Sequence, residues 1–309
     1  MPKKGVYLIE LQILKYMNNF IENYQLILNH LQKFDFDFIP LRQIRKPKLS
    51  NLELIAMNLT AEYLGIDSEC QLFRTIRKSS LEGKIERSVY NRRKRFLFPQ
   101  IEMIRKRLAF SFNENEEYFI IDSMPAEVCK NARASRSKIC KESEYSAPDK
   151  GYCASQKMYF YGYKIHGVCS VQGVFQSIDI TPASVHDIHY LKEINYSYAN
   201  CTLLGDMGYL SAKYQLNLFQ TANIRLETPM RKNQSNLRKQ PYIFRKSRKR
   251  IETLFSQLCD QFMIRRNYAK SFAGFKTRIL SKITSMTLIQ HLNKFVFERP
   301  INNLKVNLV

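Results

Sequence analysis

Apolar residues recur at helical spacing through the first third of the chain. One such stretch begins near Leu8, and a second follows Ser50, a residue type that is favoured at the N-cap of a helix. Gly65 is placed to end this second helix, because glycine readily adopts the left-handed conformation found there. A third long helix is predicted over 85–108, so the pattern indicates a helical region over 1–112.

The periodicity changes after a polar break near 111–116. Short runs rich in β-branched and aromatic residues then alternate with amphipathic stretches. We expect residues 113–298 to form a second domain and residues 299–309 to form a tail. The predicted strands are 117–123, 159–169, 174–180, 201–205 and 223–228, and the predicted helices begin near His186, span 211–222, surround Glu252 and span 272–297.

The order of these elements indicates the fold class. Val171-Gln172-Gly173 is a short, glycine-containing link of the kind that joins two strands in a hairpin. The later strands alternate with helices, which is typical of crossover connections. A basic stretch over 130–150 has no clear period and is predicted to be a long loop. The pattern therefore predicts an α+β fold with a mixed, five-stranded sheet, flanking helices and a helical N-terminal domain.

The chain carries a strong positive charge. Its 49 Lys and Arg residues outnumber 27 Asp and Glu residues, and the formal net charge of +22 points to a polyanionic partner such as nucleic acid. Seven cysteines without a Cys-x-x-Cys pair indicate neither a disulfide framework nor a zinc site. No run of about 18 apolar residues occurs, so we expect no membrane partner and a cytoplasmic location.

Two acidic residues directly follow predicted strands. Asp122 comes after 119–121, and Asp206 comes after 203–205. Glu252 adds a third carboxylate on an amphipathic helix. Carboxylates are hard oxygen ligands suited to Mg²⁺ or Mn²⁺, and a pair of such ions can align the attacking and leaving oxygens of a phosphodiester. The three acids are therefore candidates for a metal-dependent site that acts on nucleic acid.

Structural roles remain open for each acid. Asp122 can be an ordinary strand-end residue, and Asp206 can begin the turn before Gly208. Glu252 can pair with Arg248, one turn earlier on the helix. Each role taken alone is as plausible as metal binding, so the assignment depends on all three positions together.

Neighbouring polar residues have other predicted roles. Asp260, two turns beyond Glu252, is predicted to be a solvated helix acid. Asp187 is predicted to cap the short helix that starts there. His186 and His189 are assigned to hydrogen bonding or packing, because imidazole is not a typical ligand of Mg²⁺.

The segments around the acids resemble those of DDE-type transposases of bacterial insertion sequences. The resemblance covers roughly 117–295 and rests on YFYGYKIHGV, TPASVHD, LLGDMGY and LETPMRKNQ. In that family the first Asp lies on the first strand, the second follows the fourth strand, and the Glu lies on the helix after the fifth strand. Asp122, Asp206 and Glu252 match these three places in order.

One departure from the family pattern lies on the same helix. Many relatives carry a Tyr, Arg, Glu, Lys signature around the catalytic Glu. Arg248 matches the Arg position, four residues before Glu252, whereas Arg245 stands at the Tyr position and Cys259 at the Lys position.

The resemblance implies a ribonuclease H-like catalytic domain that uses Mg²⁺ or Mn²⁺, as two ions held by the three acids. It further implies that the helical domain recognises terminal inverted repeats, that the catalytic domain cuts DNA and transfers strands into target DNA, and that the protein acts as a homo-oligomer associated with the bacterial nucleoid. Two alternatives stay open. One is a ribonuclease H-like nuclease or resolvase without strand transfer, and the other is an inactive, basic DNA-binding protein.

Basic residues supply candidate contacts to DNA. They concentrate on the third predicted helix, on both sides of the aromatic strand near Tyr159, and in the run 231–250, which contains no acid. A solvated surface is the alternative for each group. The candidates are Arg92, Arg93, Lys157, Lys164, Arg231, Lys232, Arg245, Lys246, Arg248, Lys249 and Arg250.

Overall fold

A computed structural model describes residues 19–36, 46–112, 116–154, 156–230, 240–305 and 308. The α-helices of these residues are α1 (19–31), α2 (Asn51–Tyr63), α3 (Glu69–Thr75), α4 (Arg87–Phe96), α5 (Phe98–Phe110), α6 (Leu191–Ser197), α7 (Ala212–Ala222), α8 (Tyr242–Asp260) and α9 (Phe272–Phe295). The strands are β1 (Tyr118–Cys129), β2 (Asp149–Cys153), β3 (Met158–Ser170), β4 (Phe175–Pro182), β5 (Thr202–Leu204) and β6 (Arg225–Glu227). None of these helices is both long and apolar enough to cross a membrane.

The predicted ends of the second helix are confirmed. Ser50 is the N-cap of α2, and its side chain and that of Glu53 form a reciprocal capping box. Gly65 follows the C-cap residue with a φ of 67°, in the left-handed region where glycine carries no steric penalty. The sequence signals for helix start and stop therefore act here as expected.

The single helix predicted over 85–108 is wrong, because the segment forms α4 and α5 with a break at Leu97. Pro99 lies in the first turn of α5. A proline ring cannot donate a backbone hydrogen bond and clashes with the carbonyl four residues earlier, so a continuous helix through this point is disfavoured. The first turn of a new helix tolerates the same proline.

The described strands form a mixed sheet in the order β2-β3-β1-β5-β6, with β4 also paired to β3. The predicted hairpin is confirmed, because β3 and β4 pair antiparallel. β1 is antiparallel to β3 and parallel to β5, and β5 is parallel to β6. Together with the helices on its faces, this sheet gives the α+β, ribonuclease H-like architecture that the sequence predicted.

Two details of the predicted sheet need correction. The first strand, predicted over 117–123, runs on to Cys129, through Pro125. Beyond Ile120 only β3 pairs with β1, and proline is tolerated where its missing N–H faces an unpaired edge. The predicted loop 130–150 contains two short 3₁₀ turns and leads into β2, which pairs with the start of β3 as an additional edge strand.

Alternate residues of β1 face different cores. Phe119 and Ile121 pack with α6 and α7 on one face of the sheet. Ile120 and Met124 pack on the other face, in the cluster that includes Leu254 of α8. Asp122 lies between Ile120 and Met124 in this alternation, so the strand directs it toward the face that α8 covers.

The N-terminal helices share the larger core with α9. A polar layer crosses the interface between α2 and α9, where Lys282 donates to Glu62 at 2.5 Å with both side chains buried. Asn58 donates to the Ser281 hydroxyl, at 2.7 Å. Leu304, in the predicted tail, is buried in the same cluster. The division at 112/113 and the tail at 299–309 stay predictions, and the fold joins these parts through one core.

Candidate active site

Acidic side chains from separate elements line one cleft of about 610 Å³. Asp122 comes from β1, Asp206 from the turn after β5, and Glu252 from α8. Asp187 and Asp260 line the cleft as well. The cleft opens where β1 loses its parallel neighbour, because β5 ends at Leu204 while β1 continues. The fold thus brings the three predicted acids to one cavity from positions far apart in the sequence.

The ionisation of Asp122 is strongly perturbed. Burial is the largest cause, and together with the nearby charges of Asp206 and Asp187 it raises the pKa of the carboxyl group to about 7. A hydrogen bond from the Ser123 amide and the charge of Arg248 act in the opposite direction. A desolvated carboxylate beside two others is strained, and a bound cation would relieve that strain.

Asp206 both caps a turn and lines the cleft. One of its carboxylate oxygens accepts a hydrogen bond from the Gly208 amide at 2.8 Å, which caps the short turn after β5. A Cβ atom at Gly208 would lie only 2.9 Å from that oxygen, so a larger residue here would displace the Asp206 carboxylate. Asp206 therefore does begin the turn before Gly208, as considered from the sequence, and it also lines the cleft.

Glu252 lies on the exposed side of α8. Among the described residues it forms no ion pair, so the pairing with Arg248 considered from the sequence does not occur here. Asp260 accepts a hydrogen bond from Ser256 on the same helix. It also lines the cleft, about 12 Å along the axis from Glu252 at 1.5 Å per residue.

The predicted capping role of Asp187 is wrong. The His186 ring accepts a hydrogen bond from the Ile188 amide and so occupies the cap position. Asp187 instead binds Lys164 of β3, with Oδ1 and Nζ 2.8 Å apart. His189 forms a hydrogen bond, as predicted, because its Nδ1 lies 3.5 Å from the Tyr214 hydroxyl. Asp187 is thus a further carboxylate of the cleft, which its predicted capping role did not indicate.

A second missed residue is Tyr209, directly after the Asp206 turn. Its side chain is fully buried, and its hydroxyl has no hydrogen-bond partner among the described residues. Burial raises its pKa well above the ordinary value, and the charges of Asp187, Asp122 and Asp206 add to the shift. A neutral, buried phenol therefore lies near the acids. Only the LLGDMGY segment pointed to this place.

A model of the transposase DDE domain matches residues 114–288. The chain belongs to this family. Among curated proteins no match was found, and among solved structures there was none either. The match begins just before β1 and extends into α9, so it contains Asp122, Asp206 and Glu252 and all six strands of the described sheet. The DDE transposase resemblance inferred from the sequence is confirmed, and with it the assignment to transposable elements.

The donor set of this DDE domain suits a hard divalent cation, because every acid in the cleft offers oxygen ligands. Asp206 is close enough to perturb the Asp122 carboxyl group electrostatically. Among the described residues, however, no three acidic, His or Cys side chains converge closely enough to share one ion. Glu252 therefore lies in the same cleft without completing a three-carboxylate site, and a closer approach of α8 would be needed.

The cations predicted to contact DNA differ in where their side chains lie. Arg248 and Lys164 line the cleft. Arg93 is buried and donates to Asn51, so it connects α4 to α2. The side chain of Arg250 packs against Gly173 in the turn between β3 and β4. Exposed candidates are Arg92, Lys157, Arg245, Lys246 and Lys249, and Arg231 and Lys232 lie outside the described residues.

Proposed function

We propose that the chain is a DNA transposase that binds terminal inverted repeats, cleaves DNA with the help of divalent metal ions and transfers the cut strand into target DNA. The observation that carries this proposal is the single cleft that Asp122, Asp206 and Glu252 line within a transposase DDE domain. The electrostatic coupling of Asp122 and Asp206 supports it independently of the family match.

In this proposal Asp122, Asp206 and Glu252 hold Mg²⁺ or Mn²⁺. Two such ions, when bound, stabilise the charge on the attacking and leaving oxygens of a phosphodiester. Asp122 is held by β1 and Asp206 by its capped turn, so both carboxylates are preorganised. Glu252 lies on a helix that can approach them as DNA and metal neutralise the cleft.

The cations of the site position DNA. Arg248 shares the cleft with the acids, where its guanidinium can bind a phosphate next to the reacting one. Arg245, Lys249 and Glu252 recur at helical spacing on α8, so the helix presents phosphate-binding groups in line with the catalytic acid. Arg93 and Arg250 are left out of this proposed surface, because their side chains hold the fold together.

The wider setting belongs to the same proposal. The helical N-terminal region recognises the ends of the element, and Arg92 is its exposed candidate on α4. Two element ends are processed together, which calls for a homo-oligomer in the transposition complex. The reaction takes place on DNA in the bacterial cytoplasm, at the nucleoid.

The experiment incubates the protein with DNA that carries the flanking ends of its own gene, together with a plasmid target, with and without Mg²⁺ or Mn²⁺. The proposal expects metal-dependent cuts at the element ends and joined products in the target. Cuts without joined products would instead indicate a nuclease or resolvase. Binding without cuts in either metal would indicate an inactive DNA-binding protein.

A further inference from the structure

A second groove of about 690 Å³ lies between the N-terminal helices and the start of α9. One wall comes from α3 and α4 with the residues just before α3, and the other comes from 268–271 and the first turns of α9. Glu142 closes one side. None of the acids Asp122, Asp206 and Glu252 lines it, so this groove is separate from the candidate active site.

The acidic side chains of the groove are already engaged. Glu69 binds Lys94, with Oε1 and Nζ 2.9 Å apart. Glu142 accepts a hydrogen bond from the Phe272 amide at the start of α9. Asp67 lies 3.8 Å from a guanidinium nitrogen of Arg266. Glu69 and Asp67 are therefore paired with cations, whereas Glu142 keeps its charge and forms no ion pair among the described residues.

Besides Arg278, two cations of the groove form no ion pair among the described residues. They are Arg95 of α4 and Lys270, which is exposed just before α9. The stem of Arg95 crosses to the other wall, since a Cβ atom on Gly274 would lie 3.9 Å from its Cδ. Against the one unpaired acid, Glu142, the charge of the groove that lacks an ion pair is thus positive on balance, and it comes from both walls.

A buried donor also lines the groove. Arg278 is only 8% exposed, and its Nε has no hydrogen-bond partner among the described residues. Another of its nitrogens donates to the Asp67 carbonyl, which fixes the guanidinium in place. A buried N–H without an acceptor is costly, and a charged donor forms its strongest hydrogen bonds with anionic oxygens. The phosphate oxygens of DNA are acceptors of this kind.

One short segment of chain connects the active-site cleft to the groove. Arg265 lines the cleft, whereas Tyr268 and Lys270 line the groove. Five residues span at most about 18 Å. That is about five base pairs of DNA, at roughly 3.4 Å per pair. One duplex can therefore contact both places.

We propose that this groove binds the phosphate backbone of the DNA end a few base pairs from the bond that is cut. Arg95 and Lys270 supply the charge, and Arg278 supplies a fixed donor. The inference rests on the proposed function, because it takes DNA as the ligand of the neighbouring cleft. The groove would add a contact that positions the duplex across the interface between the N-terminal helices and the catalytic region.

The test compares full-length wild-type protein with Lys270→Gln and with Arg95→Gln/Lys270→Gln on one duplex that carries the element end. DNA affinity is measured from 50 to 200 mM salt, and phosphate ethylation interference maps the contacts. Losing one phosphate contact should lower the log–log salt slope by about 0.9, so the double variant should lose up to about 1.8. The interference signal should disappear at phosphates a few base pairs from the cut.

The matched control is Arg107→Gln/Arg225→Gln, which removes two exposed charges that line neither cavity. It should keep the wild-type contact map. An unchanged salt slope and contact map in Lys270→Gln and in the double variant would overturn the inference. Metal-dependent cleavage by the wild-type protein, measured on the same DNA, separates the two hypotheses, since its absence would count against the proposed function and not against the groove.

Discussion

The buried ion pair between Glu62 and Lys282 provides a direct test of the shared core. Both side chains are at most 4% exposed, and their charged atoms lie 2.5 Å apart between α2 and α9. Replacing one partner, as in Glu62→Leu or Lys282→Met, leaves the other charge buried without compensation. We expect each single variant to lose about 3–5 kcal/mol of unfolding free energy.

The double variant Glu62→Leu/Lys282→Met should behave differently. It removes both charges and fills the space with apolar side chains of similar size, a change that is often neutral or stabilising by about 1–4 kcal/mol. The cost of the double variant should therefore be several kcal/mol smaller than the sum of the two single costs. A thermodynamic cycle measures this coupling energy directly.

The assay is urea unfolding followed by circular dichroism at pH 7. Lys106→Met is the matched control, because it breaks a pair with Glu102 in which the lysine is 67% exposed. Such surface pairs contribute about 0–1 kcal/mol. Single losses as small as in this control would refute the buried pairing of α2 with α9. A double variant that costs the sum of the single variants would refute the coupling.

Two further predictions concern charge. Replacing Arg245, Lys246 and Lys249 with Gln should lower the log–log salt slope of DNA binding by up to about 2.7, or 0.9 per contact, and an unchanged slope in a salt titration would mean that this face of α8 is only solvated. His30 Nε2 and His291 Nδ1 lie 3.1 Å apart. Burial is the main cause that lowers the pKa of each ring to about 4. The charge of Lys33 lowers the pKa of His30 as well, and the charge of His30 lowers that of His291. Because the unfolded chain binds more protons between about pH 4 and 6.5, stability should fall as the pH falls through this window. His30→Leu should reduce that dependence by up to about 1.4 kcal/mol per pH unit in urea titrations, and an unchanged dependence would contradict the assignment.

Much of the fold followed from local patterns. Ser50, Gly65 and the glycine-containing hairpin link act through backbone geometry that the sequence specifies directly. β2 escaped detection because an edge strand pairs through its backbone and needs no apolar alternation. β1 was drawn too short because Asp122 and Pro125 suggest a strand end. A strand tolerates these two residues where one of its edges is unpaired. Which edge is unpaired depends on the arrangement of the whole sheet and cannot be read from the local sequence.

The candidate site was predictable in part. The positions of Asp122, Asp206 and Glu252 follow from apolar strands and an amphipathic helix, and the fold brings all three to one cleft. Asp187 was missed because its partner, Lys164, lies on β3, 23 residues earlier in the sequence. Charge alone could not separate Arg92, which is exposed, from Arg93, which is buried one residue later. Burial depends on helix packing that no local pattern encodes.

The most direct test of the central claim is the rate of metal-dependent DNA cleavage by Asp206→Asn. This change keeps the size of the side chain and removes one negative charge from the cleft. Cleavage should fall to the metal-free background, while DNA affinity stays equal or rises slightly because the cleft repels phosphate less. The control Asp149→Asn, an exposed acid outside the cleft, should cleave at the wild-type rate. Cleavage by Asp206→Asn at the wild-type rate would contradict the account.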